Sequence, residues 1–378
     1  MPSPVRHLVF ASTLALFACK SSAEQPATSD VGVAETSSSD DALDDSGVVC
    51  PPPLGTAAPR PTKRPAPGPL DDTLRVNEIQ LKATHNSYHV KTDTNVPDWM
   101  YGEHPLDVQL DAEGVRGLEL DVHWNDDCGR YEVFHLTVLD EKTTCRVFTD
   151  CLKLIHDWSD AHLGHHLLFI HLEPKDAWDA SIGEARFSAL EGEILSVWPR
   201  GAIVTPDEVK GSSASLAAAL TDHGWPTLGQ TRGRLVFYMD RSDEMRDAYA
   251  HGRKDLDGRL LFTDSDLDDP FAAIRILNDT TTTASQAAIA AALARHQIVR
   301  VMSEATLAGA LAGDGSSAPI ALATGGQIES TDFPTKIADT PYFFTIPGGT
   351  PSRCNPVTAP ASCTSNAVES PDRLATPK

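Results

Sequence analysis

The segment Gly117-Leu118-Glu119-Leu120-Asp121-Val122-His123 alternates apolar and acidic residues with a period of two, as a strand with two unlike faces does. Leu118, Leu120 and Val122 share one face, and Glu119 and Asp121 share the other. Two carboxylates side by side repel and are costly to bury ionised, so that face needs a cation or donors beside it. Outward from this segment the chain repeats one texture, short β-rich runs separated by amphipathic helical stretches, which is the pattern of parallel strands covered by helices. Candidate strands run over Ile79 to Ala83, Gly117 to Val122, Glu132 to Phe134, Leu167 to Leu172, Leu235 to Met239, Leu260 to Phe262, Val299 to Met302 and Gln327 to Ser330. Between them Val147, Phe148, Cys151, Leu154, Ile155 and Trp158 recur at helical spacing, as do Phe187, Leu190, Ile194 and Val197, and Ala284 to Ala294 is rich in Ala. About eight strands alternating with helices predict an α/β fold, a single (β/α)8 barrel of the TIM type, regular or irregular. No Gly-rich dinucleotide or phosphate loop follows any of them.

The 378 residues carry 31 Lys+Arg against 53 Asp+Glu, a formal charge of −22. With no basic run, this argues against nucleic acid as a partner and against adhesion to anionic lipid by charge alone. At the N-terminus Arg6, the apolar stretch from Leu8 to Ala18 and then Cys19 read as an export signal, too short to span a bilayer. Leu16-Phe17-Ala18-Cys19 resembles the lipobox of bacterial lipoproteins, which makes Cys19 a candidate lipidation site and the mature chain lipid-anchored to a bacterial membrane or secreted. Residues 20–72 are rich in Ser, Thr, Ala, Pro, Asp and Glu and predict a disordered, solvated tether; residues 73–378 hold the barrel and a disulfide-stapled C-terminal segment. Setting Cys19 aside leaves six cysteines, an even count that suggests three disulfides in an exported chain. Close spacing favours Cys145 with Cys151 and Cys354 with Cys363, leaving Cys50 for Cys128, with free buried thiols as the alternative.

Polar residues gather where the first four runs end, which in such a barrel is the active-site face. The first run leads into His85-Asn86-Ser87-Tyr88, the third ends at His135, and the fourth reads Phe169-Ile170-His171-Leu172-Glu173-Pro174-Lys175. Asn86, Glu119, Asp121 and Glu173 together are hard oxygen donors, which select Ca2+ or Mg2+ over zinc. His85 and His135 suit acid/base work near neutral pH. Ion pairs of these carboxylates with Arg116 or Lys175 are the alternative to a metal. His162, His165, His166 and His171 form a histidine-rich patch with no shared face.

The series His85-Asn86, Glu119-x-Asp121, His135 and Glu173, in this order and strand context, resembles the catalytic half of the calcium-dependent phosphoinositide-specific phospholipases C. Ser330-Thr331-Asp332-Phe333-Pro334 and the stretch from Pro347 to Pro356 resemble the C-terminal end of that family's bacterial secreted branch. The resemblance implies Ca2+ held by Asn86, Glu119, Asp121 and Glu173, with Glu119 as the base that takes the inositol 2-hydroxyl proton. It implies that His85 stabilises charge on the phosphoryl oxygens and that His135 protonates the diacylglycerol oxygen, so that a cyclic inositol phosphate forms first. Lys175, Tyr238 and Arg116 are candidate substrate contacts. Where eukaryotic members carry lysines for the headgroup phosphates, this chain reads Leu235-Val236-Phe237-Tyr238-Met239-Asp240, which points to phosphatidylinositol or a related inositol phospholipid without those phosphates. Two other readings are a glycerophosphodiester phosphodiesterase, opposed by Asn86 and Leu136, and a non-catalytic surface lipoprotein binding an inositol lipid or glycan.

Overall fold

The computed structural model describes residues 49–92, 96–337 and 340–377. The expected export signal, Cys19 and the tether up to residue 48 lie outside the described residues. The strands are β1 (Ile79–Thr84), β2 (Val115–Asn125), β3 (Arg130–Val133), β4 (Leu168–Pro174), β5 (Leu235–Met239), β6 (Phe262–Thr263), β7 (Ile274–Ile276), β8 (Ile298–Met302), β9 (Ile328–Thr331) and β10 (Arg353–Cys354). Eight of them run parallel in the order β6-β5-β4-β2-β1-β9-β8-β7, and a bridge between Asp264 and Ile274 joins the two ends into a nearly closed barrel. Strands such as Leu235-Val236-Phe237-Tyr238-Met239 are buried throughout, as parallel strands covered on both faces must be. A Cβ on Gly117 would stand 2.6 Å from the Ala83 Cβ, so glycine is what lets β2 approach β1 this closely.

Two strand expectations need correction. The run at Glu132 is no barrel strand: β3 pairs antiparallel with β2, Val122 opposite Val133, and prolongs β2 beyond the mouth as a hairpin. The strand that completes the eight is β7, whose three residues Ile-Arg-Ile are too few to register as a period. A helix that spacing did not mark, α1 (Leu106–Ala112), precedes β2. The helices expected from spacing are present as α2 (Phe148–Ala161), α3 (Gly183–Val197) and α4 (Thr283–Ala294), and α2 and α3 bury Phe148, Cys151, Leu152 and Ile155 and Phe187, Leu190 and Ile194 against the sheet.

Residues 50–72 are also corrected, because they are strapped to the barrel rather than free. Cys50 is bonded to Cys128, Arg60 Nε lies 2.5 Å from Asp160 Oδ1 with its guanidinium over Trp198, and Asp71 receives three bonds from Arg232. A disulfide and charge-assisted hydrogen bonds do here what apolar burial does elsewhere. The Cys145–Cys151 and Cys354–Cys363 disulfides match the spacing argument.

Arg116 is not at the mouth. It has the parity of Leu118 and Leu120, points to the outside of the barrel over the Trp158 ring of α2, and forks onto Glu369 with Nη2–Oε1 at 2.5 Å. Burial alone would raise the Glu369 carboxyl, yet Arg116 holds it down to about 2. Arg116→Ala is therefore expected to cost about 3–5 kcal/mol by leaving a buried charge alone. Urea unfolding would measure this, with turnover per folded molecule unchanged.

Candidate active site

At the end of β1 the backbone turns sharply: Asn86 has φ 43°, a left-handed conformation that Asn tolerates better than most residues. Ser87 Oγ accepts the Glu119 N–H at 2.7 Å, which ties this turn to β2. Asn86 is buried, its Oδ1 accepting from the Tyr88 hydroxyl at 3.1 Å and its Nδ2 donating to the Tyr101 hydroxyl at 2.9 Å. On β2 and β4 the register sets Glu119 opposite His171 and Asp121 opposite Glu173. In consequence one oxygen each of Glu119, Asp121 and Glu173 lie within 4.8 Å of one another.

The charges divide into two arms. In the first, the Lys175 ammonium bridges Asp121 Oδ2 at 2.9 Å and Glu173 Oε1 at 2.8 Å. Among the described residues neither oxygen of Asp121 has a well-directed hydrogen bond, and burial, then the Glu173 charge, push its carboxyl up to about 7. In the second, Glu119 Oε2 is 2.7 Å from Arg300 Nη2 and 3.1 Å from His171 Nδ1, while His171 Nε2 is 3.2 Å from Asp240 Oδ2. Burial opposes ionisation of Glu119, but His171, Arg300 and His85 outweigh it and hold the carboxyl well below its usual range. Burial likewise disfavours the His171 cation, yet Glu119 raises that imidazole to about 10.

The two predicted imidazoles are each backed by a carboxylate. His85 Nδ1 lies 2.7 Å from Asp332 Oδ1 and its Nε2 3.9 Å from Glu119 Oε1. Its burial would lower it, but Asp332 and then Glu119 raise it to about 9. His135 Nδ1 lies 2.8 Å from Asp140 Oδ2, and burial lowers its proton affinity in spite of that partner.

His85, Asn86, Glu119, Asp121, Glu173, His135 and Lys175 thus all stand at the C-terminal end of the sheet. Tyr238 does not stand free at the rim: it is buried and packed flat on His171, with ring centroids 4.7 Å apart. Sequence reasoning missed His171, Arg300, Asp140 and Asp240 as members of the site. His171 shares the parity of Glu173 on β4, and Arg300 is a lone cation inside the apolar run Ile298-Val299-Arg300-Val301, so both left a signal.

The Lys175 ion pairs expected as the alternative to a metal are present, but three crowded carboxylates, an Asp121 whose ion-pair partner is that shared ammonium and an all-oxygen donor set fit a hard divalent cation. A parallel barrel with such a cluster and two carboxylate-backed imidazoles at its mouth has the layout of a metal-assisted phosphodiesterase. The chain belongs to the Ca2+-dependent phosphoinositide phospholipase C family, whose profile matches residues 131–356, and it is a Ca2+-dependent phosphodiesterase of that kind. Its fold is similar to that of a calcium-dependent phosphoinositol-specific phospholipase C from a Gram-negative Pseudomonas species, at 20% identity over 76% of this chain and 98% of that one, with a TM-score of 0.54. A Ca2+-dependent phosphatidylinositol-specific phospholipase C from Streptomyces antibioticus is similar at 19% identity over 69% of this chain and 96% of that one, with a TM-score of 0.51. The Pseudomonas enzyme with myoinositol is similar at 19% identity over 70% and 93%, also with a TM-score of 0.51. No curated protein matches the chain. The family assignment sets aside the glycerophosphodiesterase and the non-catalytic readings.

Proposed function

We propose that the enzyme cleaves phosphatidylinositol by attack of the inositol 2-hydroxyl on its own phosphorus, releasing diacylglycerol and a cyclic inositol phosphate that water then opens. The observation that carries this reading is the presence of two carboxylate-backed imidazoles beside the Glu119, Asp121 and Glu173 cluster. Asn86, Glu119, Asp121 and Glu173 would hold Ca2+, which when bound acidifies the 2-hydroxyl and offsets phosphoryl charge. Glu119 Oε2 is taken by Arg300 and His171, leaving Oε1 to accept the hydroxyl proton as the new P–O bond forms. With a depressed proton affinity Glu119 is a weak base, so the step depends on the hydroxyl being acidified. His85, charged at neutral pH, stabilises the phosphoryl oxygens. His135, with Nδ1 committed to Asp140, presents Nε2–H to the glycerol oxygen as the old P–O bond breaks, and its lowered proton affinity makes its imidazolium a stronger acid.

The end of β5 supports a headgroup without 4- and 5-phosphates, since it offers Tyr238 against His171 and the carboxylate Asp240 in place of cations. Phosphorus NMR of the protein with phosphatidylinositol tests the reading. A cyclic ester signal should appear with Ca2+ and not with excess chelator; equal turnover under both conditions would overturn it.

Val138 and Leu139 stand 86% and 61% exposed on the short strap between His135 and Asp140. Two bare apolar side chains beside the acid fit a lipid surface over the mouth. Val138→Asp with Leu139→Asp should lower turnover on subsaturating phosphatidylinositol vesicles by about a hundredfold or more while sparing a soluble short-chain lipid, as two buried side chains contribute roughly 3 kcal/mol or more. Export, with lipidation at Cys19 or plain secretion, is supported by the N-terminal apolar stretch and by three disulfides, which persist in oxidising compartments.

A further inference from the structure

We propose that His89 is a positioning residue for the leaving-group step: it holds Asp140 so that His135 faces the glycerol oxygen. The proposal rests on the reading of His135 as the general acid. His89 is fully buried, and its Nδ1 lies 3.1 Å from the Tyr101 carbonyl oxygen. A carbonyl only accepts, so Nδ1 carries a hydrogen. Nε2 lies 2.9 Å from Asp140 Oδ2, a contact that would set a lone pair against a carboxylate unless one proton lies between the two atoms. The same Oδ2 faces His135 Nδ1 at 2.8 Å, and Asp140 Oδ1 has no hydrogen-bond donor among the described residues. One carboxylate oxygen, shared by two imidazoles, therefore fixes this fully buried side chain.

His89 is itself held firmly. Its N–H donates to the Asn86 carbonyl and its carbonyl accepts from the Glu103 N–H, both at 2.8 Å. Its ring stacks on Tyr101 at 4.6 Å between centroids, and the Tyr101 hydroxyl accepts from Asn86. His135 meets it edge-on at 6.1 Å. The Asp140 strap closes on itself through paired backbone bonds with Leu136, so the strap sets the Asp140 backbone and His89 sets the carboxylate. An apolar side chain at position 89 would leave Asp140 with His135 as its remaining donor and let the carboxylate rotate, turning Nε2 of His135 away from the mouth.

The test compares phosphatidylinositol in detergent micelles with a 4-nitrophenyl inositol phosphodiester, whose leaving oxygen needs no proton. His89→Phe should lower kcat on the lipid by about tenfold to a hundredfold at unchanged KM, a fraction of what acid catalysis provides, and leave the nitrophenyl ester within about twofold. His89→Gln, whose amide reaches Asp140, should recover most of the loss, and the shorter His89→Asn should not. His135→Ala should show the same split between substrates, only larger. If His135→Ala affects both substrates alike, the reading of His135 as the acid fails. If His135→Ala shows the split while His89→Phe impairs both substrates equally or neither, the positioning role is overturned. Should His89→Phe fail to fold, equal behaviour of the Gln and Asn variants would overturn it in the same way.

Discussion

Asp121→Asn is expected to remove Ca2+-dependent turnover, by roughly 10³-fold or more if metal activation supplies several kcal/mol, and at the same time to make the metal-free protein more stable. Both effects come from one cause. Asp121 is completely buried beside Glu119 and Glu173, and its carboxyl is pushed up to about 7. Its proton is held more tightly folded than unfolded, where the value is about 3.9. Stability from this group is therefore fully present below about pH 4 and is lost as pH rises through about 7. The Asn variant keeps the shape without the charge, so its melting temperature in chelator should exceed that of the wild type most clearly above pH 7, and the difference should shrink on acidification. Adding Ca2+ should raise the wild type by the binding term, about 2.7 kcal/mol at a hundred times Kd, and the variant far less. Melting curves at pH 5 and pH 8, with chelator and with Ca2+, check all three statements. An Asn variant that still turned over lipid only with Ca2+ would remove Asp121 from the ligand set.

The period of two in Glu119-Leu120-Asp121 was enough to assign β2 its inward face, because a buried strand has only two faces and the carboxylates cannot take the apolar one. The same counting applied to Arg116 places it outward with Leu118, where it meets Glu369, and that consequence was available from sequence. His171 was obscured differently. Grouped with His162, His165 and His166 it looks like part of a patch with no shared face, and two of that group, His165 and His166, are buried and hydrogen-bonded to the neighbouring backbone, where burial lowers them to about 3 and about 4. His171 alone points at Glu119.

For other members of the site the local sequence did not show the partner, even where, as at Asp332, it carried a motif. Asp332 reaches His85 across 247 residues because the sheet curls until β9 lies against β1, a closure that no window of sequence contains. Asp140 is brought back to His135 by the tight strap over Val138, which has φ 69°. Composition also misplaced residues 50–72, since a polar segment with no core of its own can still be ordered by a disulfide and an arginine seated on Trp198.

His85→Ala is expected to lower kcat by about 10²–10⁴-fold with little change in KM, the range for removing a charged group that acts chiefly as charge develops on phosphorus. The environment of His85 makes the pH dependence specific. Burial opposes the imidazolium, and Asp332 at 2.7 Å with Glu119 at 3.9 Å overcomes that, raising it to about 9. The imidazolium is therefore present at neutral pH and lost as pH rises through about 9, so turnover falls on that side. Ca2+ on Glu119 would weaken one of the two attractions, which moves the fall to lower pH; Asp332→Asn weakens the other and should move it further in the same direction while leaving a partly active enzyme at pH 6. A kcat–pH profile of the wild type and Asp332→Asn in saturating Ca2+ separates this from a role in folding, because a structural defect would scale the whole curve without shifting its alkaline limb. Coincident limbs for the two proteins would mean that Asp332 does not hold the proton on His85, and the charge opposite the phosphoryl oxygens would then have to come from Lys175 or Arg300.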